Sequence, residues 1–236
     1  IGDKVVIPKE TQKDFSEKII YLPNSFMVND STKKISDKIF TREELGLPKN
    51  SFVFCFFNKF YKISPKTFDV WMKLLNKVEN SVLWLINDNS IGVKNLKEEA
   101  KKRGINSERI IFAGYTNLLS EHLARHRQAD LFLDTTPYNG HTRVSDALWA
   151  GLPVITKIGK SFPSKVSASL LNALDLPELI THTEKEYEDL AIDLATNKNK
   201  LSEIKNKLEK NKLTSTLFNS KIFTQNIESA YTEIYK

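Results

Sequence analysis

The sequence predicts an α/β fold, a Rossmann-like parallel sheet with helices on both faces, on three observations. From Ser51 onward short apolar runs alternate with stretches of helix length. The runs are apolar throughout rather than at every second position, as strands buried on both faces must be. Polar, chemistry-bearing residues cluster just after the runs, where the ligands of open parallel sheets bind.

Taken in order, residues 1–50 hold two strand-like pieces, "KVVIP" and "KIIYLP", then a polar connection and a small helix, "TREELG". Thr41 and Glu44 form a capping pair for that helix, and Gly46 and Pro48 end it. The strands proper are "SFVFCFF", "SVLWLI", "RIIFAG", "DLFLD" and "PVIT". After the first of them Ser64 caps a helix, Pro65 fits its first position, and Phe68, Trp71, Met72 and Leu75 share one face, so Trp71 is core. "YTNLLSEHLARHRQAD" reads as a helix between the third and fourth strands. "YNGHTRVSDALWAGLP" follows the fourth strand, with Thr142 as the helix cap and Gly151 and Pro153 as its end. Beyond the last strand come "SKVSASLLNAL", a helix opened by the pair Thr183 and Glu186, a Lys/Glu-rich helix, and an amphipathic stretch to Tyr235. Residues 1–50 are expected to be a connector and remnant of a preceding lobe. Residues 51–218 form the main domain, and 219–236 a helix that packs on a lobe outside this chain.

Composition removes several functions. The chain has 236 residues, 40% hydrophobic and 27% charged, enough for a buried core in one large domain. No apolar run approaches the ~18 residues of a membrane span, and no signal peptide opens the chain, so the expected compartment is the cytoplasm. The net charge of +6 is spread among glutamates along helix faces, a solvated pattern rather than a nucleic-acid surface. The single cysteine, Cys55, lies within an apolar run and is expected to be a buried thiol. The chain opens on Ile1 without an initiator Met and is expected to be the C-terminal part of a longer protein.

Three strand ends carry candidate site residues. After "DLFLD", Gly140 allows close backbone approach, His141, Thr142 and Arg143 are donors, and Asp146 lies one turn into the helix. A cation in the first helical turn opposes the helix dipole by up to ~1 kcal/mol, a penalty removed by a bound anion. An exposed Arg beside a satisfied turn histidine is the structural alternative. After "SFVFCFF", Lys59 and Lys62 suit a diphosphate, or are simply solvated. In the third segment His122, Arg125 and His126 cluster at helical spacing. "HLARH" lacks the glutamate of a zinc-protease helix and a third ligand, so no metal site is expected; His122 is expected to be buried or ligand-facing and His126 exposed. No P-loop, no dinucleotide-binding glycine fingerprint and no Asp-x-Asp pair occurs.

From about Tyr21 to the end, the blocks "LPNS", "TREELGLPKNSFVFCFFNKFYKISPKTFDVWMKLLNKVENSVLWL", "EHLARHRQADLFLDTTPYNGHT", "SDALWAGLPVIT", "KVSAS" and "LTSTLFNSKIFT" resemble the O-linked N-acetylglucosamine transferase (SPINDLY-type) glycosyltransferases, most closely their bacterial, tetratricopeptide-repeat-bearing branch. The resemblance implies the C-terminal, nucleotide-sugar-binding half of a GT-B enzyme. It implies inverting, metal-independent transfer of N-acetylglucosamine from UDP to Ser or Thr hydroxyls of a protein selected by N-terminal repeats, with no cofactor. On it, Lys62 stabilises the departing UDP and is the catalytic residue, and Lys59 stands near the diphosphate where animal enzymes have Gln. His122 and Arg125 line the uridine, with backbone around Asn117 facing uracil. His141 and Thr142 bind the diphosphate, and Asp146 receives the ribose hydroxyls. Arg143 replaces a common Thr, and Leu119 replaces a ribose-binding Lys of animal enzymes. These departures leave the sugar open, another UDP-sugar or a GDP-sugar such as GDP-fucose included. Because the repeats and the N-terminal lobe are missing here, a nucleotide-sugar-binding or interaction module without turnover is the alternative, and the isolated fragment is expected to be inactive.

Overall fold

The structure, a computed structural model, describes residues 1–235. Its centre is a six-stranded parallel sheet in the order β3-β2-β1-β4-β5-β6, formed by β1 (Phe52–Phe56), β2 (Ser81–Ile86), β3 (Ile110–Ala113), β4 (Leu131–Leu133), β5 (Val154–Lys157) and β6 (Ile180–Thr181). The five apolar runs become the first five strands. In β1 Val53, Phe54, Cys55 and Phe56 are all fully buried, which is why the run does not alternate. The two-residue β6 has no run of its own; it exists because Thr156 and Lys157 pair with Ile180 and Thr181.

Chain order reverses between β1 and β4. The connection from β1 leads through α1 (Pro65–Lys77) to β2 on one side, while β4 pairs with β1 on the other. The loops leaving the carboxyl ends of these two strands therefore splay apart and leave a crevice. Ser64 caps α1 by accepting from Thr67 N at 3.1 Å, and Phe68, Trp71, Met72 and Leu75 face the core as their spacing requires. The remaining helices are α2 (Ser90–Lys102), α3 (Leu119–Arg125), α4 (Thr142–Trp149), α5 (Val166–Ala173), α6 (Glu184–Thr196), α7 (Lys198–Thr214) and α8 (Ser220–Tyr235). Cys55 is buried, as its apolar run requires, and burial pushes its thiol pKa well up.

Residues 1–50 depart from their sequence reading. "KVVIP" and "KIIYLP" form no strands: Gly2 bridges Tyr21, through Gly2 N to Ile20 O at 2.9 Å and Leu22 N to Gly2 O at 2.8 Å. Their apolar residues serve packing, with Val6 and Ile7 seated on Val166 of α5. "TREELG" is a turn rather than a helix. Thr41 and Glu44 do make their reciprocal bonds, Thr41 N to Glu44 Oε2 at 2.7 Å and Glu44 N to Thr41 Oγ1 at 3.1 Å. Gly46 then reverses the chain at φ 69° before a full helical turn closes. Buried Asp3 ties the segment down, accepting from Phe26 N at 2.9 Å and from Ser169 Oγ of α5 at 2.7 Å.

Candidate functional site

The crevice between β1 and β4 gathers most of the sequence-predicted residues. From the β1 side, a short turn after the strand carries Lys62 inward, and its ammonium donates to Asn139 O on the β4 side at 2.7 Å. It lies 4.1 Å from the centroid of the Tyr138 ring. Desolvation lowers the Lys62 pKa, opposed by the nearby Asp134 carboxylate. Tyr138 in turn stacks on His141, with ring centroids 5.0 Å apart and planes inclined by 22°. Lys62, Tyr138 and His141 thus form one cluster across the crevice.

The β4–α4 loop is held by Asp134, which the sequence reading left unassigned. Its carboxylate accepts from Gly140 N and from Thr156 Oγ1, each at 2.8 Å. Burial raises its pKa to about 6. Gly140 is required by close approach, since a Cβ there would lie 2.6 Å from Val144 Cγ2. The sequence placed Thr142 at the helix cap, but His141 is the capping residue and Thr142 begins α4. The reason is the loop's pinning by Asp134 and Asn139, which turns the chain one residue earlier. His141 adopts φ 39°, ψ −114°, a conformation costing ~1–3 kcal/mol in a non-glycine residue. The strain aims its imidazole back over the crevice, with Nε2 3.3 Å from Pro163 O. Desolvation first, and Lys62 in addition, lower its pKa against the Pro163 contact, favouring the neutral ring.

Thr142 and Arg143 are exposed in the first turn of α4; the Arg143 amide donates to Gly140 O at 2.8 Å, while the amide of Thr142, the first helical residue, has no intrahelical partner. Arg143 Nη1 lies 3.4 Å from Asp146 Oδ2. Asp146 is buried, and its other oxygen accepts from Lys33 Nζ at 2.7 Å.

A second cluster lies across the β1 end, where α3 places His122 and Arg125. Arg125 is 2% exposed. Its guanidinium donates to Gly114 O at 2.6 Å, meets His122 Nδ1 at 2.6 Å and lies 4.7 Å over the Phe57 ring. Carbonyl, imidazole and aromatic face thus surround the cation, and desolvation lowers its pKa to about 10. His122 Nε2 is buried without a hydrogen-bond partner. Desolvation, with the nearby cationic and imidazole groups, lowers the His122 pKa to about 2. The sequence expected His126 to be exposed; it is buried against Phe57 with Nδ1 2.8 Å from His122 O. His126 lies one helical turn after the buried His122 and shares its inward face, and burial lowers its pKa to about 4. Arg143 contributes to the field at His122, and Asp146 to that at His126, so the two clusters adjoin.

Two predicted residues stand apart. Lys59 is exposed and pairs with Asp88 at 2.5 Å, and Asn117 lies exposed in the loop after β3. Beside the crevice a cavity of about 240 Å³ opens between the N-termini of α1 and α6, walled by Val70, Trp71, Pro137 and Tyr187. Among the described residues no cluster of three His, Cys, Asp or Glu side chains has the arrangement of a metal site.

A crevice at the strand-order reversal, lined by a lysine, an arginine and a helix N-terminus, is suited to a diphosphate; beside it a buried arginine and an orphaned imidazole nitrogen leave polar groups for a base. Comparisons with known proteins bear on the family and the fold. A sequence model of glycosyl transferase family 41 matches residues 34–227. A probable UDP-N-acetylglucosamine–peptide N-acetylglucosaminyltransferase of Arabidopsis thaliana is 34% identical over 241 aligned positions, covering 100% of this chain and 25% of the relative. A UDP-N-acetylglucosamine–peptide N-acetylglucosaminyltransferase of Caenorhabditis elegans is 36% identical over 196 positions, covering 83% of this chain and 17% of the relative. The solved structure of a mutant O-GlcNAc transferase of Thermobaculum terrenum superposes with a TM-score of 0.85 at 25% identity, over 99% of this chain and 44% of that one. The chain thus spans a quarter or less of the length of these two curated relatives.

Proposed function

We propose, since the chain belongs to glycosyl transferase family 41, that it is the nucleotide-sugar-binding half of a UDP-N-acetylglucosamine–dependent protein O-glycosyltransferase. The observation that carries the reading is the cationic crevice at the β1/β4 reversal: Lys62 from one loop, His141 and Arg143 from the other, and the amides of α4 between them. The diphosphate of the donor occupies this end. The uridine extends toward α3, where, among the described residues, no carboxylate lies against the Arg125 guanidinium and His122 Nε2 has no partner; a buried cation and a buried orphan nitrogen are each costly until a ligand supplies acceptors. Asp146 receives ribose hydroxyls, and Asn117 lies in the loop that faces the base.

Transfer in this reading inverts the sugar and needs no divalent metal, because the charge of the leaving UDP is met by fixed cations and dipoles. Lys62 is the group that matters most in the transition state. Its ammonium is desolvated in the crevice, and a cation there gains most as negative charge develops on the departing phosphate. The neutral imidazole of His141, its one N–H directed at Pro163 O, lines this end without repelling Lys62. The acceptor is a Ser or Thr hydroxyl of a protein, chosen by repeats and by a second lobe in the length of its relatives that this chain does not span. On that lobe α8 and parts of residues 1–50 pack. The reaction is cytoplasmic; among the described residues no helix is long and apolar enough to cross a membrane.

Calorimetry with UDP, UDP-N-acetylglucosamine and GDP-fucose tests the donor. Binding of the two uridine ligands with little affinity for GDP-fucose is expected. A guanine preference overturns the assignment of the sugar nucleotide, and full binding without transfer by the longer protein would make it a binding module.

A further inference from the structure

The segment ahead of the sheet enters the site. Residues 29–33 run along α4 and are stitched to it: Asn29 Oδ1 accepts from Ser145 Oγ, Lys33 O accepts from Trp149 Nε1 at 3.0 Å, and Lys33 Nζ donates to Asp146 Oδ1 at 2.7 Å. Asn29 is itself fixed from behind, donating to Met27 O at 3.0 Å and to Leu217 O at 3.3 Å. The Lys33 ammonium is therefore brought to a set place by backbone on both sides. Its side chain is 19% exposed and that of Asp146 is 2% exposed, so the pair is neither a freely solvated surface bridge nor sealed from a ligand.

The chemistry of the pair is specific. An ammonium has three donors and a carboxylate about four acceptor sites. Lys33 gives one donor to Asp146, and each Asp146 oxygen has one cation beside it, Lys33 at 2.7 Å and Arg143 at 3.4 Å. Spare donors thus lie next to spare acceptors. Such a mutually neutralised pair suits an uncharged group that both donates and accepts, and two neighbouring hydroxyls have that character. Phosphate oxygens, which only accept, are better served by Lys62 and the α4 amides.

We propose that Lys33 is a ribose-binding residue that acts jointly with Asp146: the carboxylate accepts from the vicinal hydroxyls of the nucleotide while the ammonium donates to one of them and holds the carboxylate in place. The proposal rests on the nucleotide-sugar reading above. It assigns a binding role to a residue 113 positions away in the chain from its partner.

The test is calorimetry of this chain with UDP and with 2′,3′-dideoxyuridine 5′-diphosphate, for the wild type, Lys33→Met and Lys33→Arg, each with its melting temperature. Lys33→Met should weaken UDP by about 10- to 100-fold, the range of a charge-assisted hydrogen bond, and leave the dideoxy ligand within about twofold. Lys33→Arg should recover most of the loss. Unchanged UDP affinity, or equal loss for both ligands, overturns the proposal and makes Lys33 a clamp or a diphosphate ligand. If Lys33→Met fails to fold, Lys33→Gln, which removes the charge and keeps a donor, takes its place in the same comparison. A wild type that binds neither ligand defeats the nucleotide reading itself and is thereby told apart from failure of the Lys33 assignment alone.

Discussion

Arg143→Thr separates a ligand-binding arginine from a structural one. In the free protein Arg143 lies in the first turn of α4, where its charge opposes the helix dipole by ~0.3–1 kcal/mol. Against this stands its pairing with Asp146 at 3.4 Å, with the arginine side chain 45% exposed. A partly solvated pair of that kind contributes ~0–1 kcal/mol. The two contributions nearly cancel, and Asp146 keeps Lys33 at 2.7 Å as its partner, so the buried carboxylate is not left alone. The melting temperature should therefore move little, by the equivalent of about 0.5 kcal/mol or less. With UDP bound, Arg143 gains a diphosphate, and its loss should weaken binding by roughly 1–3 kcal/mol, or about 5- to 150-fold. Calorimetry with UDP and with uridine gives both numbers, and uridine should bind almost unchanged. A fall in stability without a fall in UDP affinity would refute the reasoning, as would equal losses for UDP and uridine.

Further outcomes follow from the same geometry. Lys62→Ala should reduce turnover of the longer enzyme more than it reduces UDP affinity, because the leaving group gains charge only in the transition state; equal losses would make Lys62 a ground-state ligand. Chelation with EDTA should leave UDP affinity unchanged in calorimetry, and a strict magnesium requirement would contradict the cationic account of the diphosphate site. Gly140→Ala sets a Cβ 2.6 Å from Val144 Cγ2, so it should lower stability by ~1–3 kcal/mol in denaturant titration and also weaken UDP, since the α4 amides shift. Acid should destabilise the protein: His126, lowered by burial to about 4 from 6.5, contributes stability present above the unfolded value and lost as pH falls from about 6.5 through 4, amounting to roughly 3 kcal/mol. His122 acts in the same direction. Asp134, raised from 3.8 to about 6, acts oppositely and stabilises as pH falls through 6. With two imidazoles against one carboxyl, melting temperature should drop between pH 7 and 4.5, and a rise would contradict their burial as neutral rings.

The sheet was legible because strands buried on both faces must be apolar throughout, and "SFVFCFF" or "SVLWLI" can satisfy that in few other ways. The helices of the domain were legible by caps: Ser64 and Thr183 both accept from the third helical amide. Where the apolar pattern served tertiary packing, it misled. Val6 and Ile7 read as a strand but cover Val166, and β6 is too short to leave a pattern. The candidate site was legible where its residues follow strands directly, as Lys62, His141 and Arg143 do. Asp134 sat in plain view as the last residue of "DLFLD", and a carboxyl at a strand's carboxyl end could have been singled out as the anchor of the next loop. Lys33 carried no such signal, because its partner is distant in the sequence and only the folded path of residues 29–33 brings them together. His126 lies one helical turn after His122, so the spacing itself places it on the same inward face, and the expectation of exposure went against that signal.

The measurement that bears most directly on the central claim is titration of this chain with UDP-N-acetylglucosamine, with and without Lys62→Met and Arg143→Thr together. The account predicts metal-independent binding by the wild type that both substitutions weaken far more for UDP-N-acetylglucosamine than for uridine. Binding of undiminished strength in the double variant would place the diphosphate outside the β1/β4 crevice and contradict the account.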